Sequence, residues 1–170
     1  AGVRFGLPLT ENNFFTTGIT ADFTEVELSN NSPIQYRDFC GNVTGCTSNS
    51  IQLTASWTHD TRDNILFTNK GVLQRLSAEV TLPVLDLQYY RIDYRHAWYK
   101  DIAKNFTLLL NGEFDYADSY NNKKYPFFKN YFVGGVNSVR GFENGSIGPR
   151  IIDTSGQEFN IGGTTRIVGN

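Results

Sequence analysis

Apolar and polar residues alternate along almost the whole of this chain. Between Phe15 and Phe23 the odd positions are mostly apolar, whereas the even positions are polar or glycine. Because successive side chains of a strand point to opposite faces, this period of two predicts half-buried β-strands. The sequence therefore predicts an all-β protein with antiparallel neighbours joined in chain order and no helix longer than about two turns. About seven segments show the pattern, around Val3–Leu7, Phe15–Phe23, Ile51–Trp57, Leu76–Leu82, Tyr90–Trp98, Phe106–Tyr116 and Thr164–Val168.

The polar faces of the central strands contain ionised residues in the middle of the run, not at its ends. A transmembrane barrel places such residues in a hydrated lumen, whereas a soluble sandwich places them on its solvent face. Run length favours the barrel, because a membrane-spanning strand takes about ten residues and a globular strand about five or six. The apolar set should then point outward to lipid: Phe15, Ile19, Phe23, Leu53, Trp57, Leu76, Val80, Ile92, Trp98, Leu108, Leu110 and Phe114. The charged set should point inward: Arg75, Glu79, Arg91, Asp93, Glu113 and Asp115.

Connections between the predicted strands differ in length. Short turns occur at Pro8–Asn13 and Ala103–Asn105, and longer polar segments at Asn30–Asn49 and Tyr120–Gly163. Outer-membrane barrels have short periplasmic turns on one side and long extracellular loops on the other. The short segment Leu85–Gln88 falls on the long-loop side and does not follow this rule.

Composition alone fits a soluble β-sandwich slightly better than a barrel but allows both, and it argues against two other classes of protein. The chain has 170 residues, enough for one domain, and only 39% are hydrophobic. No run of about 18 apolar residues exists, which excludes a transmembrane helix but not a barrel. Nine Tyr, thirteen Phe and two Trp would supply interfacial aromatic girdles. The net charge of −2 shows no basic footprint and argues against nucleic acid as a partner.

Cys40 and Cys46 are the only cysteines of the chain. Their even number and short spacing favour a local disulfide across a turn, in an oxidising compartment. A metal site would need more ligands nearby, and neither His59 nor His96 is close in sequence. We therefore predict a disulfide between these two cysteines, no metal site and no cofactor.

Residues 126–149 form a long loop interrupted by glycines, with one arginine, Arg140, between Val139 and Phe142. The glycines permit positive φ angles and close backbone approach, so the loop can fold tightly. A buried Arg140 would need acceptors for its five donors, whereas an exposed one would be solvated. The candidate functional residues of this loop are Gly134, Gly135, Ser138, Val139, Arg140, Gly141, Phe142, Gly148 and Pro149.

A second motif follows the predicted third strand. It reads Asp-Thr-Arg-Asp-Asn from Asp60 and ends at Gly71. Asp and Asn often cap ordinary turns, so by itself this motif could be generic. Its candidate residues are Asp60, Arg62, Asp63, Asn64 and Gly71.

Both motifs together resemble the BamA family of outer-membrane insertases. The loop element Ser138-Val139-Arg140-Gly141-Phe142, between the Gly134-Gly135 pair and Gly148-Pro149, is similar to the signature loop of that family. The segment from Asp60 to Gly71 is similar to its short periplasmic turn, although Thr68 or Asn69 stands where the family usually has proline.

The resemblance implies an antiparallel transmembrane β-barrel of about 16 strands in the bacterial outer membrane. Residues 1–170 would be part of that single barrel domain, including an extracellular loop 120–163. The periplasmic POTRA domains and the first and last barrel strands would lie outside this chain. In the family the arginine loop folds back into the barrel, and its arginine contacts acidic and aromatic residues on later strands, which this chain lacks.

The resemblance further implies a protein that folds and inserts β-barrel proteins without catalysing a reaction. Its partners would be outer-membrane lipids and lipopolysaccharide, unfolded β-barrel clients and accessory assembly lipoproteins, with no small-molecule substrate. Three alternatives remain open: a two-partner secretion transporter, a passive porin constricted by Tyr120–Gly163, and an outer-membrane enzyme. No Gly-x-Ser-x-Gly, phosphate-loop or Cys/His motif supports the enzyme.

Overall fold

The computed structural model is dominated by one seven-stranded antiparallel sheet, and it describes residues 1–29, 31–41, 44–136, 138–153 and 155–170. The strand order is β1-β2-β3-β4-β5-β6-β9, so six strands follow chain order and the ninth pairs with the sixth. The predicted all-β fold is confirmed. The sheet strands are β1 Gly2–Thr10, β2 Asn13–Glu27, β3 Gly45–Asp60, β4 Gly71–Thr81, β5 Tyr89–Ala103, β6 Phe106–Ser119 and β9 Thr165–Gly169.

The strands are longer than those of ordinary globular domains. β2 has 15 residues, β3 has 16 and β5 has 15, against about five or six in a mean globular strand. Strands of this length can cross the hydrocarbon core when tilted. Among the described residues, no helix is long and apolar enough to cross a membrane.

The strand register separates the side chains into an apolar outer face and a polar inner face. One row of directly paired residues consists of Phe15, Trp57, Leu76, Tyr94 and Phe114. The adjacent row consists of Thr16, Ser56, Ser77, Asp93 and Asp115. The predicted apolar and charged sets lie on these two opposite faces, as expected from the period of two.

Few hydrophobic side chains are buried among the described residues, because most apolar side chains lie on the exposed outer face of the sheet. Phe23 is 72% exposed and Leu110 is 49% exposed, whereas the buried residues include Ser50, Thr81 and Asp115 on the inner face. Burial is therefore concentrated on the polar side of the sheet. This inversion of the ordinary globular pattern suits a sheet with lipid on its apolar side.

The connections lie at the two ends of the strands. The turns β1–β2, β3–β4 and β5–β6 lie at one end, whereas residues 28–44, 82–88 and 120–164 connect strands at the other end. β3 begins at Gly45, so the loop expected to extend to Asn49 is shorter than predicted. It also contains a helix, α1 Ile34–Cys40, which the alternation did not predict.

The long connection contains structure that the sequence did not predict either. A separate two-stranded hairpin joins β7 Arg150–Ile152 to β8 Glu158–Asn160, and a short 3-10 helix spans Phe127–Lys129. Three-residue strands are too short to show a period of two. Their pairing became visible only in the folded loop.

Candidate functional site

The long connection between β6 and β9 is closed by two backbone bridges, one at its base and one further out. At its stem, Tyr131 and Gly163 form an antiparallel bridge through both backbone hydrogen bonds. Further out, the Ile147 amide donates to the Val133 carbonyl at 2.9 Å. The second bridge closes the tip, residues 134–146, and the hairpin β7–β8 then leads back to β9. We call residues 120–164 the long loop and residues 134–146 its tip.

At Gly134 the two sides of the tip approach each other so closely that only glycine fits. Gly134 has φ +117°, and a Cβ there would lie 2.4 Å from the Glu143 carbonyl oxygen. Any larger residue would both strain the backbone and collide with the other side of the tip. Gly135, Gly141 and Gly148 also have positive φ, at +96°, +89° and +139°.

Tyr131 attaches the long loop to the inner face of β5. Its hydroxyl donates to Asp93 Oδ1 at 2.6 Å and accepts a hydrogen bond from Arg91 Nε at 3.1 Å. The Arg91 guanidinium carbon lies 4.6 Å from the centre of the Tyr131 ring. Burial, followed by the hydrogen bond to Asp93, raises the pKa of Tyr131, so the hydroxyl keeps its proton and remains a donor.

A second attachment joins the long loop to β2. Lys129 Nζ lies 3.0 Å from Asp22 Oδ2, and Gln52 Nε2 donates to the same oxygen at 3.0 Å. Both partners of the ion pair are partly exposed, at 23% and 31% of the side chain. Partial exposure weakens such a pair through solvent screening. This contact therefore contributes little to the stability of loop docking and mainly orients the loop.

Aromatic packing lies between these two attachments. The Tyr125 ring meets the buried Tyr89 ring edge to face at 5.5 Å. The Tyr89 hydroxyl donates to Glu79 Oε1 at 2.7 Å. Burial raises the pKa of Tyr125 to about 12, so it too stays neutral at physiological pH. The long loop therefore contacts the inner face over β2 and β5 through polar and aromatic groups.

A charged row continues from Asp93 to the end of the sheet. Asp93 pairs in register with Asp115, and Arg166 of β9 contacts Asp115 and lies 3.1 Å from Glu113 Oε2. Asp115 is fully buried. The Arg166 guanidinium therefore pairs with two carboxylates on the inner face and ties β9 to β6.

Arg140 occupies an exposed position in the tip. Within the described part of the chain, no hydrogen bond or ion pair involves its side chain. The tip is anchored elsewhere, by Asn170 Nδ2 donating to the Ser138 carbonyl at 3.0 Å. Of the predicted loop residues, Gly134 and Gly135 are buried, Ser138 and Val139 are half-buried, and Gly141, Phe142, Gly148 and Pro149 are exposed. The structure thus brings the loop to the inner face without bringing Arg140 to a partner.

The turn between β3 and β4 is ordered by its own side chains. Arg62 forms a paired contact with Asp60, Nε to Oδ1 at 2.9 Å and Nη2 to Oδ2 at 2.7 Å. Asp63 Oδ1 accepts the amides of Asn69 at 3.0 Å and Lys70 at 3.2 Å, and these hydrogen bonds lower the pKa of Asp63. Further along, Asn64 Oδ1 accepts the Leu66 and Phe67 amides at 2.8 and 3.1 Å.

Gly71 ends this turn. It has φ +119°, and a Cβ there would lie 2.4 Å from the Thr61 carbonyl oxygen, so no larger residue fits. Each predicted residue of the turn therefore has a structural role. The turn folds around Asp60–Arg62 at one end, Asp63 and Asn64 in the middle and Gly71 at the other.

The segment between β2 and β3 forms a lid against the long loop. The Tyr36 ring of α1 stacks on Phe127 with centroids 3.8 Å apart, and Lys124 Nζ lies 2.6 Å from Asp38 Oδ2. The structure joins Cys40 at the end of α1 to Cys46 in β3 by a disulfide. The ring stacking and the Lys124–Asp38 contact thus link two neighbouring connections at the same end of the strands.

The residues that attach the loop were not predicted from the sequence. Tyr131, Lys129 and Arg166 were not among the candidates, although Asp93 and Asp115 were expected on the inner face. One signal was available: Lys129 and Tyr131 stand shortly before the Gly134-Gly135 pair, in a loop opposite a charged strand face. Their partners are distant in sequence, so no local pattern identified them.

Comparison with known proteins assigns the fold and the family. The family model for the Omp85 superfamily domain matches residues 1–170. The outer membrane protein assembly factor BamA of Neisseria meningitidis serogroup B is 35% identical over 175 residues, covering 98% of this chain and 22% of that protein. The chain thus spans about a fifth of the length of this relative.

A solved structure supports the same fold. BamA from Haemophilus ducreyi, in a crystal structure lacking POTRA domains 1–3, matches with a TM-score of 0.89 at 22% identity. The match covers 98% of this chain and 35% of that one. At this identity the likeness shows the fold, namely the strands of a β-barrel. The chain therefore belongs to the Omp85 superfamily and forms part of an integral outer-membrane β-barrel.

Proposed function

We propose that the protein containing this chain is a BamA-like assembly factor that folds β-barrel proteins and inserts them into the bacterial outer membrane. The proposal rests on one structural observation above others: the long loop folds back and binds the inner face of the sheet through Tyr131 and Lys129. A loop held inside the barrel can order the lumen and the wall together. The likeness to the Neisseria assembly factor over 98% of this chain supports the same activity.

The outer face of the sheet fits the membrane environment of such a protein. Exposed apolar side chains of β2 to β6 face lipid, which solvates them where water would not. The proposed partners are membrane lipids and lipopolysaccharide, unfolded β-barrel clients and accessory assembly lipoproteins. We propose that insertion needs no catalysed bond change, no metal and no cofactor.

Depletion of the full-length protein in its own cells tests this function. We expect the levels of many different outer-membrane β-barrel proteins to fall together, and a plasmid copy of the wild-type gene to restore them. Loss of one secreted polypeptide, with barrel proteins unchanged, would instead indicate a two-partner secretion transporter. Unchanged barrel proteins and reduced uptake of small solutes would indicate a porin.

A further inference from the structure

One side chain of the long loop, Tyr131, lies where the loop, β5 and β9 meet. Its residue is 7% exposed. The hydroxyl binds two charged residues of β5 at once, donating to Asp93 and accepting from Arg91. The Arg166 guanidinium carbon of β9 also lies 5.5 Å from the centre of its ring.

The backbone of Tyr131 closes the stem of the loop. Its amide donates to the Gly163 carbonyl at 2.8 Å, and the Gly163 amide returns a hydrogen bond to the Tyr131 carbonyl at 3.0 Å. Gly163 lies two positions before β9, whose Arg166 binds the carboxylates of β6. Tyr131 therefore connects the start of the loop, the end of the loop and the wall.

The other attachment is weaker on physical grounds. Lys129 has a long flexible side chain, loses more rotamer entropy on ordering than a tyrosine, and forms a partly exposed ion pair with Asp22. Tyr131 forms two charge-assisted hydrogen bonds in a mostly buried position, and such bonds are about twice as strong as neutral ones.

We propose that Tyr131 is the positioning residue of the long loop. Its hydroxyl fixes the stem on β5, and through the pairing with Gly163 it sets where the tip with Arg140 and the first residues of β9 stand. The inference rests on the proposed function, since it assigns to Tyr131 the placement of a loop that insertion requires.

The test is Tyr131→Phe in the full-length protein, expressed as the sole copy in cells. This change keeps the ring and both neighbouring guanidinium groups and removes only the hydroxyl. Losing a hydrogen bond to a charged group should raise proteinase K cleavage of the long loop in intact cells by about tenfold to a hundredfold. Outer-membrane protein levels should fall, while the folded barrel still migrates as a heat-modifiable band.

Tyr116→Phe is the matched control. Tyr116 lies on the outer face of β6, where its hydroxyl donates to Asp118 of the same strand at 3.4 Å and its ring lies 6.2 Å from the ring of Tyr90, away from the long loop. Its loop cleavage and assembly should equal wild type. If Tyr131→Phe exposes the loop no more than Tyr116→Phe does, the proposal is wrong.

Asp93→Ala provides a second, independent measurement. If the hydroxyl acts through Asp93, the variant carrying both Tyr131→Phe and Asp93→Ala should be cleaved no faster than the more affected single variant. Simple addition of the two effects would contradict the proposal. Loop cleavage is measured independently of assembly. Unchanged barrel-protein levels on depletion would contradict the proposed function, whereas unchanged loop cleavage in Tyr131→Phe would contradict only the role of Tyr131.

Discussion

Two residues of the same loop, Tyr131 and Arg140, have opposite environments. Tyr131 is buried against charged residues of β5, whereas Arg140 is exposed at the tip without a partner in the described part of the chain. The resemblance to the BamA family predicts that this arginine contacts acidic and aromatic residues on the inner wall of the barrel. The loop is held at its stem by Tyr131, whereas the exposed Arg140 side chain is left available for such a contact.

At Arg140 we predict that Arg140→Ala in the full-length protein weakens docking of the tip. We predict that the full-length barrel buries Arg140 against an acidic partner, and truncating one member of such a pair costs about 2–5 kcal/mol, because its acceptors are left unpaired. Arg140→Lys should restore assembly only in part, because lysine lacks the planar fork. The measurement is the level of outer-membrane proteins and protease access to the loop in cells with each variant as the sole copy. Wild-type assembly and cleavage in Arg140→Ala would mean that the tip is merely a surface connection.

At Asp63 we predict a pH dependence confined to the turn. The hydrogen bonds from Asn69 and Lys70 lower its pKa below the ordinary value of 3.8. Their contribution is therefore complete above the unfolded pKa and is lost as pH falls through the lower folded pKa. In micelles, the NMR shifts of these two amides should titrate with a midpoint below 3.8, and Asp63→Asn should abolish the titration. A midpoint at or above that value would contradict the assignment.

At the scale of the element, each central strand separates lipid from lumen by single-residue alternation. Leu53 stands on the outer face of β3 between Ile19 and Val80, and the next residue, Thr54, stands on the inner face opposite Glu79. Neighbouring residues of one strand therefore face two different environments, lipid and lumen. A shift of one residue in register would move every side chain of the strand to the opposite face.

This alternation predicts that Leu53→Lys and Thr54→Lys differ sharply. Leu53→Lys should lower the free energy of unfolding in lipid by about 2–4 kcal/mol, the cost of a lysine near the bilayer midplane. Thr54→Lys places the same charge beside Glu79 in the lumen and should cost less than half as much. Urea unfolding of the refolded full-length protein in lipid vesicles measures both. Equal losses would mean that the apolar face does not meet lipid.

The lid formed by α1 depends on a cross-link and on ring stacking. A disulfide that closes so short a loop stabilises it by about 2 kcal/mol through the entropy of the open chain. Cys40→Ser should therefore free α1 from β3, loosen its packing on the long loop and speed tryptic cleavage after Arg37, as should reduction of the wild type. Tyr36→Ala removes the stacking on Phe127 and should act in the same direction. Cleavage unaffected by either change would show that the lid is held by other contacts.

At the scale of the whole molecule, the sheet has two open edges among the described residues. β1 and β9 each pair with one neighbour, and the outer face exposes large apolar side chains. Unpaired edges with bare hydrophobic surface promote association between chains. A closed barrel removes both edges, and the relative of this chain is about five times as long as the part matched here.

We therefore predict that residues 1–170 expressed alone and folded in micelles associate into oligomers and give no assembly activity. The full-length protein, folded in the same micelles, should remain a monomer with a heat-modifiable band. Light scattering after size-exclusion chromatography separates the two results. A stable, monomeric 170-residue species would show that the open edges are protected in a way that strand pairing does not reveal.

Much of the fold could be read from local pattern. The seven sheet strands, their order and their two faces followed from alternation, because the period of two is written into adjacent residues. The turn from Asp60 to Gly71 also followed from its residues, since Asp and Asn accept amides only a few positions away. α1 did not follow, because it is short and packs on the distant Phe127, and the β7–β8 hairpin did not follow, because strands of three residues are too short to show a period of two.

The sequence alone determined that this chain forms long amphipathic strands and has an arginine-bearing, glycine-rich loop. Only the tertiary structure decided how that loop is held. Lys129 meets Asp22 across 107 positions and Tyr131 meets Asp93 across 38, and neither separation leaves a local trace in the sequence. A strand pattern arises from neighbours along the chain, whereas a docking contact arises from register and loop closure, which bring distant residues within hydrogen-bond distance only after the sheet has formed.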